Sequence, residues 1–149
     1  MIISWIHTFR SDLDGYFIAE LEPRHLDLVL SYWPFLPSDW PLENRRMFFD
    51  FVIRHCCQAA AFQTENPATP LGWFLQFPHG ACGNGYIFEK HRRKRIGITL
   101  VKEVMRKVLA KGYMPEWLVA ANNPAREDLS QKLGAIEMYR CQRLLVMPW

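Results

Sequence analysis

Between Tyr86 and Gly112 the sequence passes from an apolar stretch, Tyr86-Ile87-Phe88, through the basic loop Lys90-His91-Arg92-Arg93-Lys94-Arg95 into a segment of helical periodicity. Apolar residues recur at Ile96, Leu100, Val101, Val104, Val108 and Leu109, while Lys102, Glu103, Arg106 and Lys107 take the other face. Gly112 supplies the expected stop. A strand that feeds a loop and then a helix leaves several backbone N–H groups unpaired at the positive end of the helix dipole, and these can bind an anion. The cations from Arg92 to Arg95 add charge at the same place, so the junction predicts a site for phosphate.

Composition narrows what surrounds that junction. With 149 residues and 50% hydrophobic composition, residues 1–149 are expected to form a single domain that buries about two-thirds of the surface its unfolded chain exposes. The formal charge is only +3, and Lys90 to Arg95 holds five of the eighteen Lys and Arg residues. A nucleic-acid patch is the competing reading of that run, but the total charge is small and no aromatic platform flanks it. Cys56, Cys57, Cys82 and Cys141 show no ligand spacing, so no metal is expected and the thiols read as reduced and mostly buried. No apolar run approaches the roughly 18 residues a membrane span needs. Met1 to Ile6 lacks the features of a signal peptide. The compartment is not legible from these residues.

Taken in order, Met1 to Phe9 reads as a short strand or packed tail, and Ser11 to Gly15 as a turn. Tyr16 to Leu21 is the first strand of the sheet. A helix opens at Glu22-Pro23 and closes at Pro34; a second covers Pro41 to His55 with Met47, Phe48, Phe51 and Val52 inward. Phe35 to Trp40 is a loop. Cys57 to Gln63 is a buried strand, and Glu65 to Pro70 a turn or loop. Leu71 to Phe77 and Cys82 to Glu89 pair as a hairpin across Pro78-His79-Gly80-Ala81. After the helix from Ile96, Met114 to Ala121 is a strand parallel to its predecessor, Asn123 to Leu133 a helix with Pro124 in its first turn, and Ile136 to Met147 a final strand. This order predicts an α/β fold of the α+β mixed-sheet kind, mostly antiparallel, with helices on both faces.

His91-Arg92-Arg93-Lys94-Arg95-Ile96-Gly97-Ile98-Thr99-Leu100 resembles the acyl-CoA loop of the GNAT superfamily of N-acyltransferases: Arg or Gln, two residues, Gly, one residue, then Gly or Ala. Arg92 and Gly97 match, and Arg95 stands at the first glycine. Leu118 to Ala125, continuing to Lys132-Leu133-Gly134, looks like the following strand and helix. More narrowly, Trp33, the Arg46 to Cys57 helix, Leu71-Gly72-Trp73 and the run from Trp73 to Arg92 resemble the C-terminal half of the glycine N-acyltransferase family, over roughly residues 20 to 149. Family members normally carry another half-domain in front. The resemblance implies the GNAT acyl-CoA N-acyltransferase fold, a cytoplasmic or mitochondrial setting, and transfer of an acyl group from acyl-CoA or acetyl-CoA to a small-molecule amine, glycine or another small amino acid. It leaves a homodimer open.

Direct attack of an amine on the thioester, as the resemblance implies, sets three tasks. Arg92, Arg93, Lys94, Arg95, Ile96 and Gly97 would hold the pyrophosphate. A main-chain N–H near Ile87 or Phe88 would polarise the thioester oxygen. An ammonium acceptor, with a pKa near about 8–10, must first lose a proton. In the glycine N-acyltransferases a glutamate has been proposed for that task, and the match puts Ala81 there. His79, two residues away, is the replacement base that the sequence offers, with Glu89 and His91 also close. Asn123 is the expected helix N-cap beside the cofactor, and Ser130 stands where superfamily members sometimes carry a tyrosine that protonates the leaving thiolate. Arg45, Arg46 and Arg54 are candidate partners for an acceptor carboxylate. The rival readings are a non-catalytic acyl-CoA-binding module, consistent with Ala81 and Arg95, and an acetyltransferase acting on protein or polyamine amines.

Overall fold

The computed structural model describes residues 15–33, 40–119 and 123–138. It divides into two compact units, Met1–Leu118 and Val119–Trp149.

The first unit is built on a four-stranded antiparallel sheet in the order β1 (Tyr16–Ala19), β2 (Gln58–Gln63), β3 (Asn66–Gln76) and β4 (Cys82–Ile87). Strand periodicity divides its side chains. Ala60, Phe62, Trp73 and Leu75 face a core completed by α1 (Leu26–Ser31) and α2 (Leu42–His55). The opposite face takes α3 (Ile96–Ala110), which packs on β2 and β3. Of the predicted stripe on α3, Ile96, Leu100, Val101, Val104 and Val108 are buried; Thr99 and Met105 join them, and Leu109 is half-buried.

Several expectations need correction. The segment opening at Pro23 is a 3-10 turn, Pro23–His25, before the six-residue α1. There the Glu22 and His25 side chains cap each other's backbone N–H groups. On α2, Phe49, Val52 and Ile53 are buried, whereas Met47 and Phe51 are exposed. The helix carries apolar residues on nearly every side, so packing and not periodicity selects its inner face. Asn66 to Pro70 is no loop but the start of β3. Its register against β2 slips on both sides of Phe62, and such irregular pairing tolerates Pro67 and Pro70, which have no N–H to donate.

Past α3, the expected strand from Met114 is reduced among the described residues to one parallel bridge, Cys82 to Trp117, with Cys82 N–H donating to Glu116 O at 2.7 Å. The second unit contains α4 (Pro124–Lys132). Residues 136–138 of the expected last strand carry no strand structure. The readings on 1–14, most of Phe35 to Trp40, 120–122, 139–147 and Cys141 fall outside the described residues.

Candidate functional site: the end of β4 and the start of α3

A bulge shapes the outer edge of β4. Trp73 pairs with Tyr86 and Leu75 with Gly83, so Phe74 alone faces both Asn84 and Gly85, and Asn84 adopts φ 45°. The extra residue re-aims the strand just past the Cys82 bridge. On the outer edge of β4, Cys82 bridges Trp117.

The hydrogen-bond alternation then assigns the two candidate amides. Phe88 N–H donates to Leu71 O at 3.0 Å, so it is committed to the sheet and is not the free donor expected there. In an antiparallel ladder the next residue points the other way, and Ile87 therefore presents its N–H and C=O on the side away from β3. Its carbonyl accepts from Arg92 Nε at 3.0 Å. Tyr86 and Phe88 lie on the opposite face from Ile87, in an aromatic cluster with Tyr32 and the fully buried Trp73.

After β4 a 3-10 turn, Glu89–His91, leads into the basic loop, and α3 begins with Arg95 as its N-cap. The first helical bond runs from Thr99 N–H to Arg95 O at 3.1 Å. Ile96, Gly97 and Ile98 N–H thus have no partner within the helix, and the Arg95 side chain does not cap them. Gly97 serves packing: a β-carbon there would stand 3.0 Å from Ile87 Cδ1.

Arg95 has φ 61° and ψ 0°, and Arg93 has φ 60°. The left-handed region costs a residue with a β-carbon about 1–2 kcal/mol, which is the physical reason for glycine in the pattern this loop resembles. Arg92 to Arg95 are all exposed. Arg92 folds back to Ile87, and Lys94 Nζ reaches the Tyr16 hydroxyl at 2.8 Å.

His79 lies in the exposed hairpin turn, its ring stacked on Phe77 at 5.6 Å. Five residue steps of β4 separate that turn from Ile87, about 17 Å. His91 is buried, with Nδ1 3.2 Å from the Tyr16 hydroxyl; burial, then the Lys90 and Lys94 charges, lower its pKa below the usual histidine value. Burial, helped by Cys57 and Glu116, pushes the neighbouring Cys82 thiol up to about 12, so it stays protonated at neutral pH.

The bridge supplies a carboxylate that sequence reasoning passed over. Cys82 lies beside Trp117 in parallel register, which puts Ala81 laterally beside Glu116 at about one strand spacing, ~5 Å. Glu116 is exposed. Nothing local in the sequence pairs residues 81 and 116.

Arg45, Arg46 and Arg54 are all engaged: Arg45 donates to Trp40 O at 2.6 Å, Arg46 pairs with Asp27, and Arg54 pairs with Asp50 at 2.7 Å. In the second unit Asn123 is the N-cap of α4, accepting from Arg126 N–H at 3.2 Å, and Ser130 Oγ donates to Arg126 O at 2.8 Å. Among the described residues no group of His, Cys, Asp and Glu could hold a metal ion, and no helix is long and apolar enough to cross a membrane.

Comparison with known proteins agrees with this architecture. Residues 62–144 match the family model described as FR47-like protein. No curated protein matches the sequence. Among solved structures, a Drosophila protein superposes with a TM-score of 0.69 at 17% identity over 80% of this chain, which spans 39% of that protein's length. The aminoglycoside N-acetyltransferase AAC(6')-Iy, bound to a bisubstrate analogue of CoA, gives 0.65 at 16% identity, covering 89% of this chain and 99% of that one. Glucosamine-6-phosphate N-acetyltransferase from Arabidopsis thaliana gives 0.62 at 12% identity, with 89% and 99% covered. The family match spans more than half of the sequence, and the likeness to the two acetyltransferase structures covers 89% of this chain: the chain belongs to the FR47-like family and has the GNAT N-acetyltransferase fold.

Proposed function

We propose that this protein is an acyl-CoA-dependent N-acyltransferase that uses acetyl-CoA or another acyl-CoA to acylate the primary amine of a small molecule, with residues 1–149 acting as one catalytic domain. The observation that carries the reading is the start of α3: three N–H groups without helical partners, beside exposed arginines, at the end of β4, where the Ile87 N–H points away from β3. A diphosphate fits there by charge and by hydrogen bonding. A thioester laid along β4 would meet Ile87 N–H, which is placed to stabilise the oxyanion of the tetrahedral intermediate.

Arg93 and Arg95 have side chains for the diphosphate, with Arg92 bracing the Ile87 carbonyl. The amine must lose its proton before attack. Glu116, beside Ala81, is the carboxylate at the start of β4, and His79 is the alternative base in the adjoining turn. The Cys82 thiol, held protonated, does not compete as a nucleophile. Asn123 and Ser130 belong to the proposal through sequence resemblance alone, as a cofactor-side cap and a hydroxyl for the leaving thiol.

Glycine or another small amino acid is the acceptor that the same resemblance implies. With Arg45, Arg46 and Arg54 engaged, its carboxylate would have to displace one of these contacts, so an amine without a carboxylate, such as an amino sugar, belongs in the same test. Ala81 favours a second reading, acyl-CoA binding without turnover.

Thermal-shift measurements with CoA, acetyl-CoA and longer acyl-CoAs, followed by CoA-release assays with glycine, an amino sugar and a lysine peptide, test the proposal. Stabilisation with turnover supports catalysis. Stabilisation without turnover on any amine supports the binding module, and no stabilisation by any CoA species removes both.

A further inference from the structure

The backbone on each side of Lys94 is left-handed without glycine, at Arg93 (φ 60°) and Arg95 (φ 61°), and Lys94 is the residue between them that is tied down. Its Nζ donates to the Tyr16 hydroxyl at 2.8 Å and lies 5.3 Å from the centre of the same ring. The hydroxyl also lies 3.2 Å from His91 Nδ1, and the two rings meet edge-on at 5.7 Å. An ammonium can only donate, so the Tyr16 oxygen accepts from Lys94, while the tautomer of His91 sets whether Tyr16 donates to Nδ1 or accepts from it. The other ring nitrogen, Nε2, is buried without a hydrogen-bond partner. Tyr16 thus makes the ring's polar contact among the described residues.

Tyr16 opens β1, at the opposite edge of the sheet from β4. Three strand spacings, about 14 Å, separate those edges. The loop that leaves β4 crosses the end of the sheet and is caught by β1. Strained backbone persists where its surroundings over-determine it, and one hydroxyl that grips both a 3-10 turn residue and the lysine between two left-handed arginines is such a surrounding.

We propose that Tyr16 is a positioning residue for the cofactor loop: through Lys94 and His91 it holds the left-handed arginines, and with them the N–H groups that open α3, in the geometry that receives the diphosphate of a CoA thioester. The inference rests on the cofactor reading above and adds to it the device that replaces glycine.

Tyr16→Phe keeps the ring and removes both hydroxyl contacts. Calorimetric titration with CoA is expected to show about tenfold weaker binding, on the scale of one charge-assisted hydrogen bond. Amide exchange in the free protein is expected to speed up across residues 92–98 and to stay unchanged across 101–108. In turnover, the KM for acyl-CoA rises while the KM for the amine does not, a split that general loosening of the fold would not give. A variant whose CoA affinity and loop exchange equal those of wild type overturns the role of Tyr16. Failure of the cofactor reading shows differently, because the wild-type protein itself would then bind no CoA.

Discussion

A β-carbon on Gly72 would stand 2.6 Å from the carbonyl oxygen of Tyr86 and 2.9 Å from Ile87 Cγ1. Gly72 pairs with Ile87 across β3 and β4, so the close approach lies at the residue whose amide points away from β3. Backbone cannot yield as a side-chain tip can. Gly72→Ala is expected to cost about 2–3 kcal/mol in urea unfolding and to weaken CoA binding as well. Gly97→Ala, whose nearest neighbour is the tip of Ile87, is expected to stay within about 0.5 kcal/mol of wild type because alanine also favours the helix.

The left-handed Arg95 makes a prediction of opposite sign. Arg95→Gly relieves the strain, partly offset by the greater freedom of glycine in the unfolded chain, and is expected to raise stability by about 0.5–1 kcal/mol. The same substitution removes a cation, so CoA binding is expected to weaken while the urea midpoint rises. A fall in both measurements would argue against strain at this position.

Mild acid should destabilise the fold through two buried histidines. Burial foremost holds His25 and His91 below the ordinary histidine value of 6.5. Above 6.5 both residues are neutral in the folded and unfolded chains, and their contribution is fully present. As the pH falls below 6.5 the unfolded chain takes up protons that the folded chain refuses, and stability drops until the folded values are passed. Urea midpoints are expected to fall between pH 7.5 and 5.5, with a smaller fall in His91→Gln.

Glu116→Gln and His79→Gln, made separately, decide which group takes the amine's proton. The Glu116 variant is expected to lose at least about tenfold in kcat at neutral pH and to recover toward high pH, where the amine deprotonates unaided. Circular dichroism should be unchanged, since Glu116 is exposed and its carbonyl, not its carboxylate, makes the bridge.

What adjacent residues could settle was legible without coordinates: the stripe on α3, the β3–β4 hairpin, the charge of the loop, and an N-cap at Asn123 that the structure places on Arg126 N–H. Each is a matter of spacing or turn chemistry among residues close together in the chain. The inner face of α2, the strand character of Asn66 to Pro70, the bulge at Asn84, the placing of Glu116 beside Ala81 and the grip of Tyr16 on a loop 75 and 78 residues away came from tertiary structure alone. These depend on which backbone edges and apolar faces meet, and a partner distant in the chain leaves no periodic mark on either sequence. Arg95 belongs to both: the sequence shows a cation where the resembled pattern has glycine, and only the fold shows that this cation takes the glycine's backbone conformation, with Lys94 held beside it by Tyr16.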